Sequence, residues 1–233
     1  MSTSSPVHLI AVVGGSGAGK SWLVDRLCHL IGERACRLQL DDFYHDRSHL
    51  PLEERARINF DVPESIDEAG FERVLRDCQA GRTTTIPNYD FATYTRTGER
   101  THEPHSIVFV DGLWPLLTPA LRALFDLKIF LDTPADLRRS RRLERDVSER
   151  GYDQETTTQR LLSNVLPMHE RYVEPQKAHA DIVLAQPFRE ADLLALADRL
   201  WPLVSNAGLM TPDRRDSFRT DLLSTLAHHE YSH

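Results

Sequence analysis

The residues with the clearest chemistry lie near the start of the chain. Gly14-Gly15-Ser16-Gly17-Ala18-Gly19-Lys20-Ser21 places a glycine, four further residues and then Gly-Lys-Ser, the spacing of a phosphate-binding loop. Its glycines let backbone N–H groups converge on phosphate oxygens, and the helix that follows adds the positive end of its dipole. Lys20 is then placed for β- and γ-phosphates, and the Ser21 hydroxyl for Mg²⁺. A merely flexible glycine turn would not need Lys-Ser at the helix start. A nucleoside triphosphate is the expected ligand.

Two acids follow at strand ends, where open α/β sheets hold their ligands. Asp41 comes directly after Ala35 to Leu40 and can serve as a general base; Asp41 or Asp42 could equally cap the next helix. Asp111 ends the apolar run Ile107 to Val110. There an acid supports Mg²⁺ in P-loop proteins, although strand-ending acids also cap helices. Farther on, six arginines (138, 139, 141, 142, 145 and 150) face three acids, Glu144, Asp146 and Glu149. Arg138, Arg142 and Arg145 share one helical face. The cluster reads either as a solvated surface or as a clamp on transferring phosphate. Tyr89, Phe91 and Tyr94 could line a pocket for a flat ring or simply pack a strand.

These groups need a frame to position them. Val7 to Val13 reads as a buried strand ahead of the glycine loop, and Trp22, Leu23, Leu27, Leu30 and Ile31 recur at helical spacing after it. Further strands are expected at 35–40, 107–112, 127–132 and 181–184, with helices at 67–79, 116–125, 191–204 and 218–226. Residues 45–65 read as a loop with one or two helical turns. Thr83 to Ile86 and Tyr89 to Tyr94 suggest a small hairpin turning at Pro87-Asn88. Thr133-Pro134 starts the arginine-rich helix, and another at 154–169 completes a two-helix lid spanning about 134–170. Strand–helix alternation predicts an α/β fold, a parallel sheet flanked by helices. The main domain is 1–204, with 205–233 as a C-terminal extension whose His228, His229 and His233 read as a frayed polar end.

Composition limits the partners. The chain has 233 residues, 40% hydrophobic and 27% charged, with net charge −7. That balance disfavours a general nucleic-acid or membrane binder. Of 28 basic residues only Lys20, Lys128 and Lys177 are lysine. The three cysteines, Cys28, Cys36 and Cys78, lack metal-type sequence spacing and suit a reducing compartment. The opening MSTSSP shows no signal-peptide pattern, so the cytoplasm is expected. No guanine-specific Asn-Lys-x-Asp motif occurs, which disfavours a nucleotide-dependent switch.

In order, the motifs GGSGAGKS, LDDFY, NFD, IPNYDF, FVDG, IFLDTPADLRRSRRLERDVSERG and VEPQKAHADIVL resemble the uridine–cytidine kinase family, within the phosphoribulokinase/uridine kinase group of P-loop kinases. The resemblance spans about residues 7–187. It implies transfer of the ATP γ-phosphoryl group to the 5′-hydroxyl of a pyrimidine ribonucleoside, with ATP and Mg²⁺ as cofactors and a homo-oligomer as the common assembly. Gly15, Ser16, Gly17, Ala18, Gly19, Lys20, Ser21, Trp22 and Arg150 would hold ATP. Asp41 would be the base, assisted by Lys20, Arg142 and Arg145. Tyr44, Phe60, Asp61, Tyr89, Phe91, Tyr94 and Arg142 would surround the nucleoside, with Asp61 on the ribose hydroxyls. Ser21 and Asp111 would serve Mg²⁺, although Asp111 is shorter than the family's usual Glu. Tyr94, Tyr152 and Arg160 stand where the family usually has His, Arg and Gln near the base. The acceptor therefore follows less firmly than the phosphoryl chemistry, and another small alcohol (nicotinamide riboside, pantothenate or a sugar phosphate) is the alternative.

Overall fold

The computed structural model describes residues 6–148 and 153–227. Strand β1 (His8–Gly14) is the centre of a five-stranded sheet because all but its first residue are buried. Around it run β2 (Ala35–Gln39), β5 (Ile107–Gly112), β6 (Leu127–Asp132) and β7 (Ile182–Ala185), in the order β2-β5-β1-β6-β7 and all parallel. The period-two pleat sends Leu9, Ala11 and Val13 into one core cluster, and Ile10 and Val12 into the other. The fold is the expected α/β arrangement, with one apolar layer on each face.

Helix α1 (Lys20–Ile31) begins at the glycine loop and packs Leu23, Val24 and Leu27 into the second cluster. A single turn, α2 (Leu52–Arg55), interrupts the polar stretch that follows β2. Helix α3 (Glu68–Gln79) covers the opposite face with Phe71, Val74, Leu75 and Cys78; the Asp67 carboxylate caps it by accepting from the Gly70 amide at 2.9 Å. The final helices α8 (Glu190–Asn206) and α9 (Arg215–Ala227) lie over the α1 side. There Phe218, Leu222 and Leu226 join Trp201 and Leu200 in the core. Residues 205–227 thus belong to a stretch packed into the same hydrophobic unit. Among the described residues no helix is long and apolar enough to cross a membrane.

Several expectations need correction. The hairpin does not turn at Pro87-Asn88. Strand β3 (Thr84–Asp90) runs straight through that dipeptide, and its partner β4 (Thr95–His102) begins only after Tyr94. A two-stranded ribbon has only edges, so Pro87 costs it no central ladder bond. The turn is built instead by Asp90, whose carboxylate accepts from the Ala92 amide at 2.9 Å and the Thr93 hydroxyl at 2.7 Å. The expected helix at 116–125 shrinks to α4 (Pro119–Arg122), started by the Thr118 hydroxyl and Pro119.

The arginine-rich helix is α5 (Ala135–Ser148). From Gln154 onward the chain is less regular than one helix over 154–169. Helix α6 (Gln154–Arg160) passes into a π-helical turn, Leu161–Val165, then α7 (Leu166–Met168), a second π turn, His169–Val173, and the 3₁₀ stretch Glu174–His179. Pro167 and Pro175 lack the amide hydrogens a continuous α ladder requires, and π turns of this kind gather at functional sites.

Candidate active site

The C-terminal ends of β1, β2 and β5 open into a cavity of about 700 Å³. Ser16, Gly17, Gly19, Lys20, Ser21, Trp22, Asp41, Tyr44, Phe60, Asp61, Tyr89, Phe91, Tyr94, Asp111, Arg142 and Arg145 all border it. Sequence positions spread over 130 residues therefore meet in one place. Gly15 and Ala18 are buried within the loop itself, the Ala18 amide donating to the Gly15 carbonyl at 3.1 Å. Arg150, like Tyr152, His228, His229 and His233, lies outside the described residues.

At the loop, Gly17 and Gly19 adopt φ of 78° and 86°, a left-handed backbone that a side chain would strain. Lys20 Nζ donates to the Gly14 and Gly15 carbonyls, each at 3.0 Å. Burial lowers its pKa to about 8, with Asp41 and Asp111 opposing the shift. A neighbouring phosphate would restore the charge. Helix α5 lies across the same loop. Arg145 Nη2 reaches Ser16 Oγ at 3.4 Å, Arg141 Nη1 donates to the Gly17 carbonyl at 3.3 Å, and the buried Arg138 donates through Nε to the Thr133 carbonyl. Arg138, Arg142 and Arg145, which spacing places on one helical face, lie against the loop or the cavity, and Arg141 joins them. Beneath the loop, burial together with Arg138 and Lys20 lowers the His169 pKa to about 4, so its ring is neutral.

The two acids after β2 separate cleanly. Asp42 is held by Arg100 of β4 at 2.6 Å, and that arginine also donates to the Pro87 carbonyl and Asn88 Oδ1. Asp42 therefore anchors the hairpin. Asp41 borders the cavity and influences the charge on Lys20. The local cause is the 3₁₀ turn Leu40–Phe43, which buries Leu40 and Phe43 and leaves Asp41 partly exposed.

Sequence reasoning missed Arg37. In β2 its neighbours Cys36 and Leu38 belong to one core face, whereas Arg37 projects toward α1. Its Nε and Nη2 bind both oxygens of Asp111 at 2.9 and 3.0 Å, and Nη2 also reaches Ser21 Oγ. Ser21 Oγ lies 3.2 Å from Asp111 Oδ2. Two hard oxygen donors at this separation suit adjacent positions on a small divalent cation, so the pair could hold Mg²⁺ once the guanidinium yields. A lone arginine in a strand gave no signal of this contact.

The far end of the cavity is aromatic. The Tyr44 ring lies 5.7 Å from Phe60, 5.2 Å from Tyr89 and 6.3 Å from Phe91, and Phe60 stacks on Tyr94 at 5.2 Å with an 11° interplanar angle. Tyr94 has φ 56°, which is uncommon for a bulky residue and re-aims its ring out of the hairpin turn. Asp61 is held by Arg142 at 3.0 Å, and Arg142 is steadied in turn by the buried Asp146 at 3.2 Å. Arg142 thus sits with Asp61, whereas Arg145 sits with the glycine loop. Arg160 also borders the cavity and donates to the Ala56 carbonyl at 2.8 Å. Trp22 stands at the margin beside Phe188, its ring 6.4 Å away.

Known proteins resemble this chain in sequence and fold. Residues 9–192 match the model of the Phosphoribulokinase / Uridine kinase family. A uridine kinase of Chloroflexus aurantiacus is 40% identical over 177 residues, covering 75% of this chain and 85% of that protein. One of Staphylococcus epidermidis is 38% identical over 180 residues, covering 76% and 87%. Among solved structures, phosphoribulokinase from Rhodobacter spheroides superposes with a TM-score of 0.60 at 22% identity, over 78% of this chain and 71% of that one. D-glycerate 3-kinase from Cryptococcus neoformans gives 0.58 at 15%, over 77% and 86%. At those identities the structures attest the fold. The sequence matches go further, and the chain belongs to the phosphoribulokinase/uridine kinase family of phosphotransferases.

Proposed function

We propose that the protein transfers the γ-phosphoryl group of ATP to the 5′-hydroxyl of a pyrimidine ribonucleoside, uridine or cytidine. One observation carries this reading: a single cavity joins a phosphate loop to a cluster of aromatic rings, with Asp41 on its wall. Rings of this kind stack a flat base, and Asp61, fixed by Arg142, offers carboxylate oxygens to ribose hydroxyls.

In this mechanism Asp41 accepts the proton of the 5′-hydroxyl as that oxygen attacks the γ-phosphorus. The new O–P bond forms as the bond to the β–γ bridging oxygen breaks, and ADP leaves. The loop amides, Lys20, Arg145 and Arg141 stabilise charge on the phosphoryl oxygens. Arg142 orients Asp61 through their ion pair rather than reaching the phosphate itself. Ser21 and Asp111 would hold Mg²⁺, which would supply positive charge against the phosphate oxygens of the nucleotide. Three free cysteines accord with a reducing compartment; a place in pyrimidine salvage in the cytoplasm and a homo-oligomeric assembly belong to the same reading.

A second reading is favoured by Arg160, a cation on the wall of the same cavity where the family resemblance leads one to expect a neutral glutamine. It suits a small alcohol bearing negative charge, such as a sugar phosphate or pantothenate. The deciding experiment is ADP release from Mg-ATP against uridine, cytidine, adenosine, nicotinamide riboside, pantothenate and ribulose 5-phosphate. Strong stimulation by a pyrimidine nucleoside supports the proposal. Stimulation by an anionic acceptor alone transfers it to the second reading.

A further inference from the structure

A second group of chemically competent side chains lies apart from the cavity. Cys36 is on β2, the edge strand of the main sheet; His102 ends β4, and His105 lies in the link to β5. Sequence spacing hides the group, because 66 residues separate Cys36 from His102. In the fold, Cys36 Sγ is 3.8 Å from His102 Nε2, and one ligand atom from each of the three lies within 4.8 Å of the others. All three side chains are partly exposed.

The surroundings are built rather than loose. His105 Nδ1 is 2.7 Å from the Glu103 carbonyl, so as the N–H tautomer it donates there and leaves Nε2 as an acceptor. Metal-binding imidazoles are oriented by bonds of this kind. The Glu103 side chain accepts from the Thr83 hydroxyl at 3.0 Å. The link into β5 is tied to the start of β2, with the Ser106 and Ile107 amides donating to the Arg34 carbonyl and Arg34 Nη2 reaching Ser106 Oγ at 2.7 Å.

We infer that Cys36, His102 and His105 form a site for a borderline-soft divalent cation of the Zn²⁺ class, which clamps the base of the hairpin to the edge of the main sheet. A thiolate and two imidazoles favour Zn²⁺ or Co²⁺ over Mg²⁺ and Ca²⁺, whose preferred ligands are oxygens. Zinc–sulfur and zinc–nitrogen bonds of about 2.3 and 2.0–2.1 Å place ligand atoms roughly 3.3–3.6 Å apart in a tetrahedron. The triad therefore closes on the ion by about an ångström at its widest. Three protein ligands leave the fourth position to water. Binding replaces the Cys36 thiol proton, which passes to solvent. The hairpin clamped in this way carries Tyr89 and, through Arg100, holds Asp42.

The test is Co²⁺ titration of the metal-free full-length protein under reducing conditions, followed by Zn²⁺ competition. One equivalent of Co²⁺ should produce thiolate-to-cobalt charge-transfer absorption, Zn²⁺ should abolish it, and millimolar Mg²⁺ should not. The band should disappear in C36S. In H105A, a change in a surface link that spares the cores, Co²⁺ affinity should fall at least about tenfold. Histidines elsewhere in the chain cannot generate a thiolate band. No band in the wild-type protein, or a band that survives in C36S, overturns the assignment. Should C36S fail to fold, unchanged Co²⁺ affinity in H105A overturns it equally.

Discussion

Replacing Arg37 with methionine tests how the cavity holds its acids. Asp111 is 5% exposed and Arg37 21%, and the guanidinium spans both carboxylate oxygens. Methionine preserves much of the length and apolar contact but leaves the buried carboxylate without its fork. Breaking a buried pair costs about 3–5 kcal/mol. Because Arg37 is partly exposed and Lys20 remains close by, about 2–3 kcal/mol is the appropriate scale. For a protein of this size that lowers the melting temperature by about 4–12 °C. The same change frees Asp111 and Ser21, so millimolar Mg²⁺ without nucleotide should recover part of the loss in R37M while leaving the wild type unchanged. Differential scanning calorimetry with and without Mg²⁺ reads both effects. A melting temperature within about 1 °C of wild type, or equal Mg²⁺ responses in the two proteins, would refute the reasoning.

Other consequences arise from the same geometry. D41N should bind ATP as the wild type does, by calorimetry, while turnover falls about 10²–10⁴-fold, the usual worth of a positioned base; unchanged turnover removes Asp41 from that role. Because Lys20 titrates near 8 in the free protein, ATP binding at pH 8 should take up about half a proton as the phosphate restores the ammonium, and almost none at pH 6.5. Calorimetry in buffers of different ionisation enthalpy measures this uptake, and proton release at pH 8 would contradict it. The sign also fixes stability: the buried ammonium opposes folding below pH 8, and the penalty eases as pH rises from about 8 toward 10.5, where the unfolded chain still holds its proton. Y94H keeps a ring against Phe60 but exchanges the phenol for imidazole, so the ratio of kcat/KM for cytidine and uridine should change with little effect on ATP KM. An unaltered ratio would assign Tyr94 to packing alone.

The sequence was most legible where one physical constraint dominated. The central strands β1, β5 and β6 were legible as apolar runs because burial on both faces demands near-continuous hydrophobicity. The glycine loop was readable because few other needs place Lys-Ser after such spacing. Legibility failed where tertiary contacts decide. Strand β4, Thr-Arg-Thr-Gly-Glu-Arg-Thr-His, has no apolar alternation because its ribbon is largely solvated, and the turn before it depends on Asp90 rather than on Pro87-Asn88. Asp41 and Asp42 looked equivalent until Arg100 bound one of them. Arg37 and the Cys36–His102–His105 group each rely on strands distant in the chain, for which local spacing has no counterpart.

The central claim is most directly tested by incubating the protein with Mg²⁺, γ-³²P-labelled ATP and either uridine or cytidine, then identifying the labelled product. The account predicts a nucleoside 5′-monophosphate, formed stoichiometrically with ADP and nearly absent in D41N. Label found only as inorganic phosphate, or only on a non-nucleoside acceptor when the full panel is supplied, would contradict it.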